Sequence, residues 1–163
     1  MKKILVLIGL SLIFIILDNV LMPFLAIKGC YPSLAFSFCI CYAIINGSWE
    51  GLWLGVLIGI FQDLYFVNAF GINALTNMLV SVVAGTLGVN IFKEKLLLPV
   101  AMNFILALLK GVLVFTILYI LGQNTSFENI AYIAVYTMIV SIFMYKWVYK
   151  LCSKTYMEKK WRF

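Results

Sequence analysis

Six apolar runs separated by short breaks occupy nearly the whole chain, and this pattern constrains the fold more than any other feature. The runs cover residues 4–22, 31–45, 51–67, 70–92, 96–121 and 127–149. Pro23 stops the first, Asn46-Gly47-Ser48 ends the second, and Lys93-Glu94-Lys95 follows the fourth. A polar stretch over residues 122–126 divides the fifth from the sixth. A spanning helix uses about 20 predominantly apolar residues, so the pattern predicts an all-α integral membrane fold of six transmembrane helices with short loops. The second run is short, and only Asn68 and Gly71 mark the break between the third and fourth, so five spans is the alternative. Composition excludes a soluble reading: 65% of the 163 residues are hydrophobic and 11% charged, against about 45–50% and 25% in soluble domains. Six spans consume about 120 residues, which predicts a single transmembrane domain over 1–163 and no appended soluble domain.

Charge fixes the expected orientation. An even number of spans puts both ends on one side, and there lie Lys2, Lys3, Lys93, Lys95, Lys146, Lys150, Lys154, Lys159, Lys160 and Arg162. The opposite loops hold only Lys28. The excess of lysine and arginine on cytoplasmic loops then predicts cytoplasmic termini in a multi-pass membrane protein. Trp49, Trp53 and Trp147 fall at the same ends, where an amphipathic ring anchors to headgroups. Lys2 and Lys3 before an apolar run imitate a signal peptide. The small-residue cleavage pattern is missing, however, and Asp18-Asn19 stands in its place, so a retained first helix is expected. The net charge of +6 is read as a topology signal and not as a nucleic-acid face.

The sequence contains no histidine, which removes the commonest general base and metal ligand. Cys30, Cys39, Cys41 and Cys152 form no C-x-x-C pair and read as apolar fillers. No cofactor and no metal site is expected.

Two lines of small and polar residues recur at steps of four. Gly51, Gly55, Gly59 and Asp63 lie on the third run, and Asn73, Asn77, Ser81 and Gly85 on the fourth. Small residues let helix backbones approach closely where lipid supplies no hydrophobic drive. A tight antiparallel hairpin would place Asp63 level with Asn73, Gly59 with Asn77, Gly55 with Ser81 and Gly51 with Gly85. Simple packing of the two lines is one reading; a dedicated polar cluster of Asp63, Asn73 and Asn77 is the other.

Asp18, Asp63 and Lys110 are ionisable groups deep in the runs. At about 1.5 Å per residue, Asp18 lies roughly 21 Å beyond Ile4, Lys110 roughly 21 Å beyond Leu96, and Asp63 roughly 17 Å beyond Leu52. Each alone costs at least about 2.5 kcal/mol at the bilayer centre, so Lys110 is expected to pair with Asp18 or Asp63. Such a pair would be structural, or a ligand or partner contact, or part of proton or ion coupling. Near the carboxyl end, Lys146, Lys150, Lys154, Lys159, Lys160 and Arg162 interleave with Trp147, Tyr149, Tyr156 and Trp161. This suits contact with anionic lipid, at about 1 kcal/mol per basic residue; topology determination alone is the alternative. Asn124-Thr125-Ser126 matches a glycosylation pattern and reads as chance.

The segment GLWLGVLIGIFQDLYFVNAFGINALTNMLVSVVAGTLG, residues 51–88, resembles the signature region of the rod shape-determining MreD family. That pattern is a glycine-rich span ending in aspartate, a short loop, then Gly, a hydrophobic residue, Asn-Ala-Leu and a second span with small residues. Gly55, Gly59, Asp63, Gly71, Asn73, Ala74, Leu75 and Gly85 occupy those places, and Pro32 near the start of the second run fits as well. Residues 65–69 depart from the small, polar loop often found there. The resemblance implies a non-enzymatic inner-membrane component of the bacterial cell-elongation complex that helps regulate lateral peptidoglycan synthesis. It implies MreC as a partner, with MreB filaments and the RodA glycosyltransferase and its transpeptidase nearby. It also implies a fold similar to the S-components of energy-coupling-factor vitamin transporters.

The chain is therefore expected to be a helix-packing partner. A vitamin-binding S-component is the alternative, but it would need a small-xxx-small docking line on the first helix, where only Gly9 and Ser11 are small. A membrane enzyme or ion carrier built on Asp18, Asp63 and Lys110 would lack the histidine, paired carboxylates or phosphate-binding run its chemistry requires.

Overall fold

In a computed structural model, residues 2–27, 29–64, 70–89, 96–122 and 128–153 are described. The expectations for Lys28, for Lys93-Glu94-Lys95, for residues 65–69, for Asn124-Thr125-Ser126 and for the tail beyond Ser153 lie outside them. Six α-helices account for most of what is described: α1 Lys2–Val20, α2 Leu34–Asn46, α3 Ser48–Asp63, α4 Ile72–Gly88, α5 Leu97–Ile120 and α6 Glu128–Cys152. Each expected run holds one helix, displaced at its ends by a few residues. After α1, Pro23 sits in a short 3₁₀ turn over Met22–Leu25, where its missing N–H costs nothing.

Two classes of helix are present. α1, α5 and α6 have 19, 24 and 25 residues, and these three are long and apolar enough to cross a membrane. α2, α3 and α4 have 13, 16 and 17. At about 1.5 Å per residue, α2 reaches only about 20 Å and α6 nearly twice that. Of the short helices, α2 forms the interior, and α3 and α4 each bury one face. Every residue of α2 from Ala35 to Ile44 is buried, and α2 packs against all five other helices. The outer helices carry large apolar side chains into their surroundings, among them Leu97, Phe143 and Tyr119. Such a surface is stable against hydrocarbon and not against water.

Contacts across the bundle fix which ends lie together. Lys3 meets Glu50, and Asn46 meets Cys152, so the start of α1, the α2–α3 corner and the end of α6 share one end. The corner turns on Gly47, whose φ of 100° lies in a region that side chains rarely adopt. At the opposite end, Asp18 meets Leu34 and Asp63 meets Gly71. Cys30 there reaches Asn129 at the start of α6.

Candidate functional site

The α3–α4 hairpin is the tightest part of the molecule. A Cβ added at Gly59 would meet the backbone of Ala74, one at Gly55 the Asn77 carbonyl, and one at Gly51 the Ser81 carbonyl and Ala43. Gly85 lies against the backbone of Gly47 and Ser48, and Gly88 against Ile44. The glycine line of α3 therefore receives backbone, which is how lipid-embedded helices gain van der Waals attraction.

The register is the expected one at Asp63, which meets the backbone of Asn73, and differs farther along the hairpin. Gly59 lies opposite Ala74 and not Asn77, Gly51 opposite Ser81 and not Gly85, and Gly85 packs on the α2–α3 corner. Gly55 lies between Asn77 and Ser81. Both lines repeat at steps of four, so a slide of about one helical turn still lays small residues against the facing helix. Asn77 leans toward the start of α4, so its amide passes Gly59 and donates to Gln62 Oε1 at 2.8 Å.

Asp63 is buried and reaches across the hairpin to the first turn of α4. Its carboxylate accepts from the backbone N–H groups of Gly71, Asn73 and Ala74 at 3.0, 3.0 and 2.9 Å. Gly71, the N-cap residue, has no side chain to do this. Asp63 thus supplies from another helix the anion that a helix N-terminus favours. It also satisfies donors that would otherwise stay unpaired in an apolar interior.

Asp18 repeats the device. Its Oδ1 accepts from Leu34 N at 2.7 Å, and its Oδ2 from Ala35 N at 3.1 Å and Ser33 Oγ at 3.0 Å. Ser33 caps its own helix through Phe36 N and accepts a 3.4 Å contact from Gln62 Nε2. Asp18, Ser33, Gln62 and Asn77 therefore link α1, α2, α3 and α4 in one polar chain at a single end of the bundle.

The expected ion pair of Lys110 with Asp18 or Asp63 is not formed among the described residues. Both carboxylates are taken by backbone N–H groups, and the Lys110 ammonium instead lies 4.9 Å from the centre of the Phe36 ring. The three charges accordingly form no cluster in direct contact. Of the residues expected to meet anionic lipid, Lys150 is exposed in the last turn of α6; Lys154, Lys159, Lys160 and Arg162 lie outside the described residues. The cysteines are buried and form no disulfide. Cys39 contacts Ser81 Oγ at 3.0 Å, Cys41 accepts from Asn103 at 3.6 Å and Cys152 from Asn46 at 3.2 Å, and Cys30 donates to the Asn129 carbonyl at 3.9 Å, so all four fillers also serve as weak polar partners.

Two features escaped the sequence reading. Gln62 bridges Ser33 and Asn77, and its signal was a long amide inside an apolar run. Glu50 accepts from Lys3 Nζ at 2.7 Å and from Tyr42 Oη at 2.5 Å, a pairing across 47 residues that no local spacing marks.

Glycine-to-backbone packing, carboxylate-capped short helices and an apolar exterior define the class: an all-helical, membrane-type protein whose buried polar groups organise helix packing. The chain belongs to the MreD family. The family model, described as rod shape-determining protein MreD, matches residues 1–155 of the 163. No curated protein and no solved structure matches the chain.

Proposed function

We propose that this protein is a non-enzymatic component of the bacterial cell-elongation complex, a single six-span domain of the inner membrane with both termini in the cytoplasm. In this role it binds MreC and helps regulate where lateral peptidoglycan is made, beside RodA, its transpeptidase partner and MreB. The family match over residues 1–155 carries the reading. The use of Asp18, Asp63, Gln62 and Asn77 to join helices supports it, because these groups spend their hydrogen bonds on architecture. The helix-packing residues Gly51, Gly55, Gly59, Gly71, Asn73, Ser81 and Gly85 then set the shape offered to a partner. The shared end of α1 and α6, carrying Lys3 and Lys150, is assigned to the cytoplasmic face. The tail from Lys150 through Lys154, Lys159 and Lys160 to Arg162 is assigned to anionic lipid.

The test is depletion in the parent bacterium combined with affinity purification in a mild detergent. Rods that widen and round up, with MreC recovered on the tagged protein, are the expected result. Unchanged cell width, or recovery of an ATPase-driven transporter module in place of MreC, would overturn the reading.

A further inference from the structure

A cavity of about 260 Å³ lies where α5 and α6 face the first turns of α2 and α4. Phe36, Val114 and Ile133 supply apolar walls, and Asn73, Lys110 and Thr137 supply polar groups. Lys110 is half-buried there. Among the described residues it has no hydrogen bond and no ion pair, and its ammonium rests over the Phe36 ring. The π face offsets part of the cost of a cation in apolar surroundings but leaves its N–H donors without acceptors. Neither nearby aspartate fills that role, since Asp18 and Asp63 are turned onto the N-termini of α2 and α4.

We propose that this cavity binds the head of a single-chain amphiphile carrying one carboxylate, with Lys110 as its counter-ion. Charge sets the class. The lining offers one ammonium and no arginine fork, which matches a monoanion and not a phosphate dianion. Asn73 and Thr137 add neutral donors within the same lining. Volume sets the size. The space is below the roughly 300–1,000 Å³ of a drug-sized pocket, so it holds a head and its first carbons and not a two-chain lipid. The rest of the chain follows the apolar wall of Val114, Leu118 and Ile133. The proposal goes beyond the role in cell elongation and does not depend on it.

The test uses the full-length protein in a neutral detergent and a long-chain fatty acid bearing a mid-chain diazirine, with labelled peptides mapped by mass spectrometry. Label should concentrate on α5 and α6 around the cavity. Dodecanoate should compete, and dodecyltrimethylammonium, with the same chain and the opposite charge, should not. Lys110→Met, which keeps the apolar stem, should lower labelling by about tenfold or more, as loss of a charged hydrogen bond requires. Val114→Phe keeps the charge and fills the space; if Lys110→Met fails to fold, loss of label in Val114→Phe supports the site and full label overturns it. Label spread evenly over the outward faces of α1, α3 and α5 would overturn the proposal. So would equal competition by both heads, undiminished label in folded Lys110→Met, or stronger competition by dodecyl phosphate than by dodecanoate.

Discussion

The α3–α4 and α5–α6 hairpins are both pairs of apolar helices, yet one closes on itself and the other borders a cavity. In α3–α4, three glycines on one helix receive the backbone of the other, and an aspartate from the first caps the second. In α5–α6, Gly111 meets the side chain of Ile130, and the pair borders the cavity around Lys110 that it shares with the first turns of α2 and α4. The contrast separates two uses of a helix pair in lipid. Backbone contact gives a fixed part, because a backbone has no rotamer with which to yield. Side-chain contact gives a part that retains space.

Substitutions that wedge the closed hairpin test this most severely. Gly59→Leu should push α4 off α3 and cost about 3 kcal/mol, read as loss of the folded monomer by denaturant titration in detergent. If it is tolerated, the two hairpins do not differ in kind. Asp63→Ala should come next. It strips three part-buried N–H groups of their acceptor and should destabilise by about 2 kcal/mol. Hydrogen exchange at Gly71, Asn73 and Ala74 should rise selectively, and Asp63→Asn, which keeps an acceptor oxygen, should show a smaller effect. Protection unchanged at those amides would show that the cap does not hold the hairpin.

The open hairpin should respond less. Gly111→Ala needs only a shift of the Ile130 side chain, so about 1 kcal/mol is expected in the same titration; a loss as large as that of Gly59→Leu would erase the comparison. Smallest of all should be Lys3→Met. It breaks a partly exposed pair with Glu50 in which each side chain keeps about a fifth of its surface. The expected loss is below about 1 kcal/mol and shrinks as salt is raised.

The elements legible in the sequence were those written in hydropathy and residue size. Six apolar runs marked six helices, and glycines at steps of four marked the face on which α3 meets its neighbour. The register was not legible, because both lines repeat at steps of four and a slide of about one step leaves the glycines facing backbone as before. The fate of the charges was hidden too. Letters display side-chain charges, so Lys110 seemed the natural partner for Asp18 and Asp63. The groups that took those carboxylates were backbone amides at the starts of α2 and α4, which every residue except proline carries and no letter marks. Once the aspartates are understood as caps, the position of Lys110 changes meaning, from half of a pair to a cation with a cavity in front of it.

In the proposed six-span arrangement, the division between short and long helices also has a consequence for the bilayer itself. Around α5 and α6, with 24 and 25 residues, the lipid meets an apolar wall taller than a hydrocarbon core of about 30 Å. Along the outward faces of α3 and α4, with 16 and 17 residues, the wall is lower and the leaflets are drawn together to match it. That arrangement would impress a gradient of thickness on the membrane over the protein's own width. A neighbouring span with a short apolar stretch is drawn toward the α3–α4 flank before any side chain of the two proteins has touched.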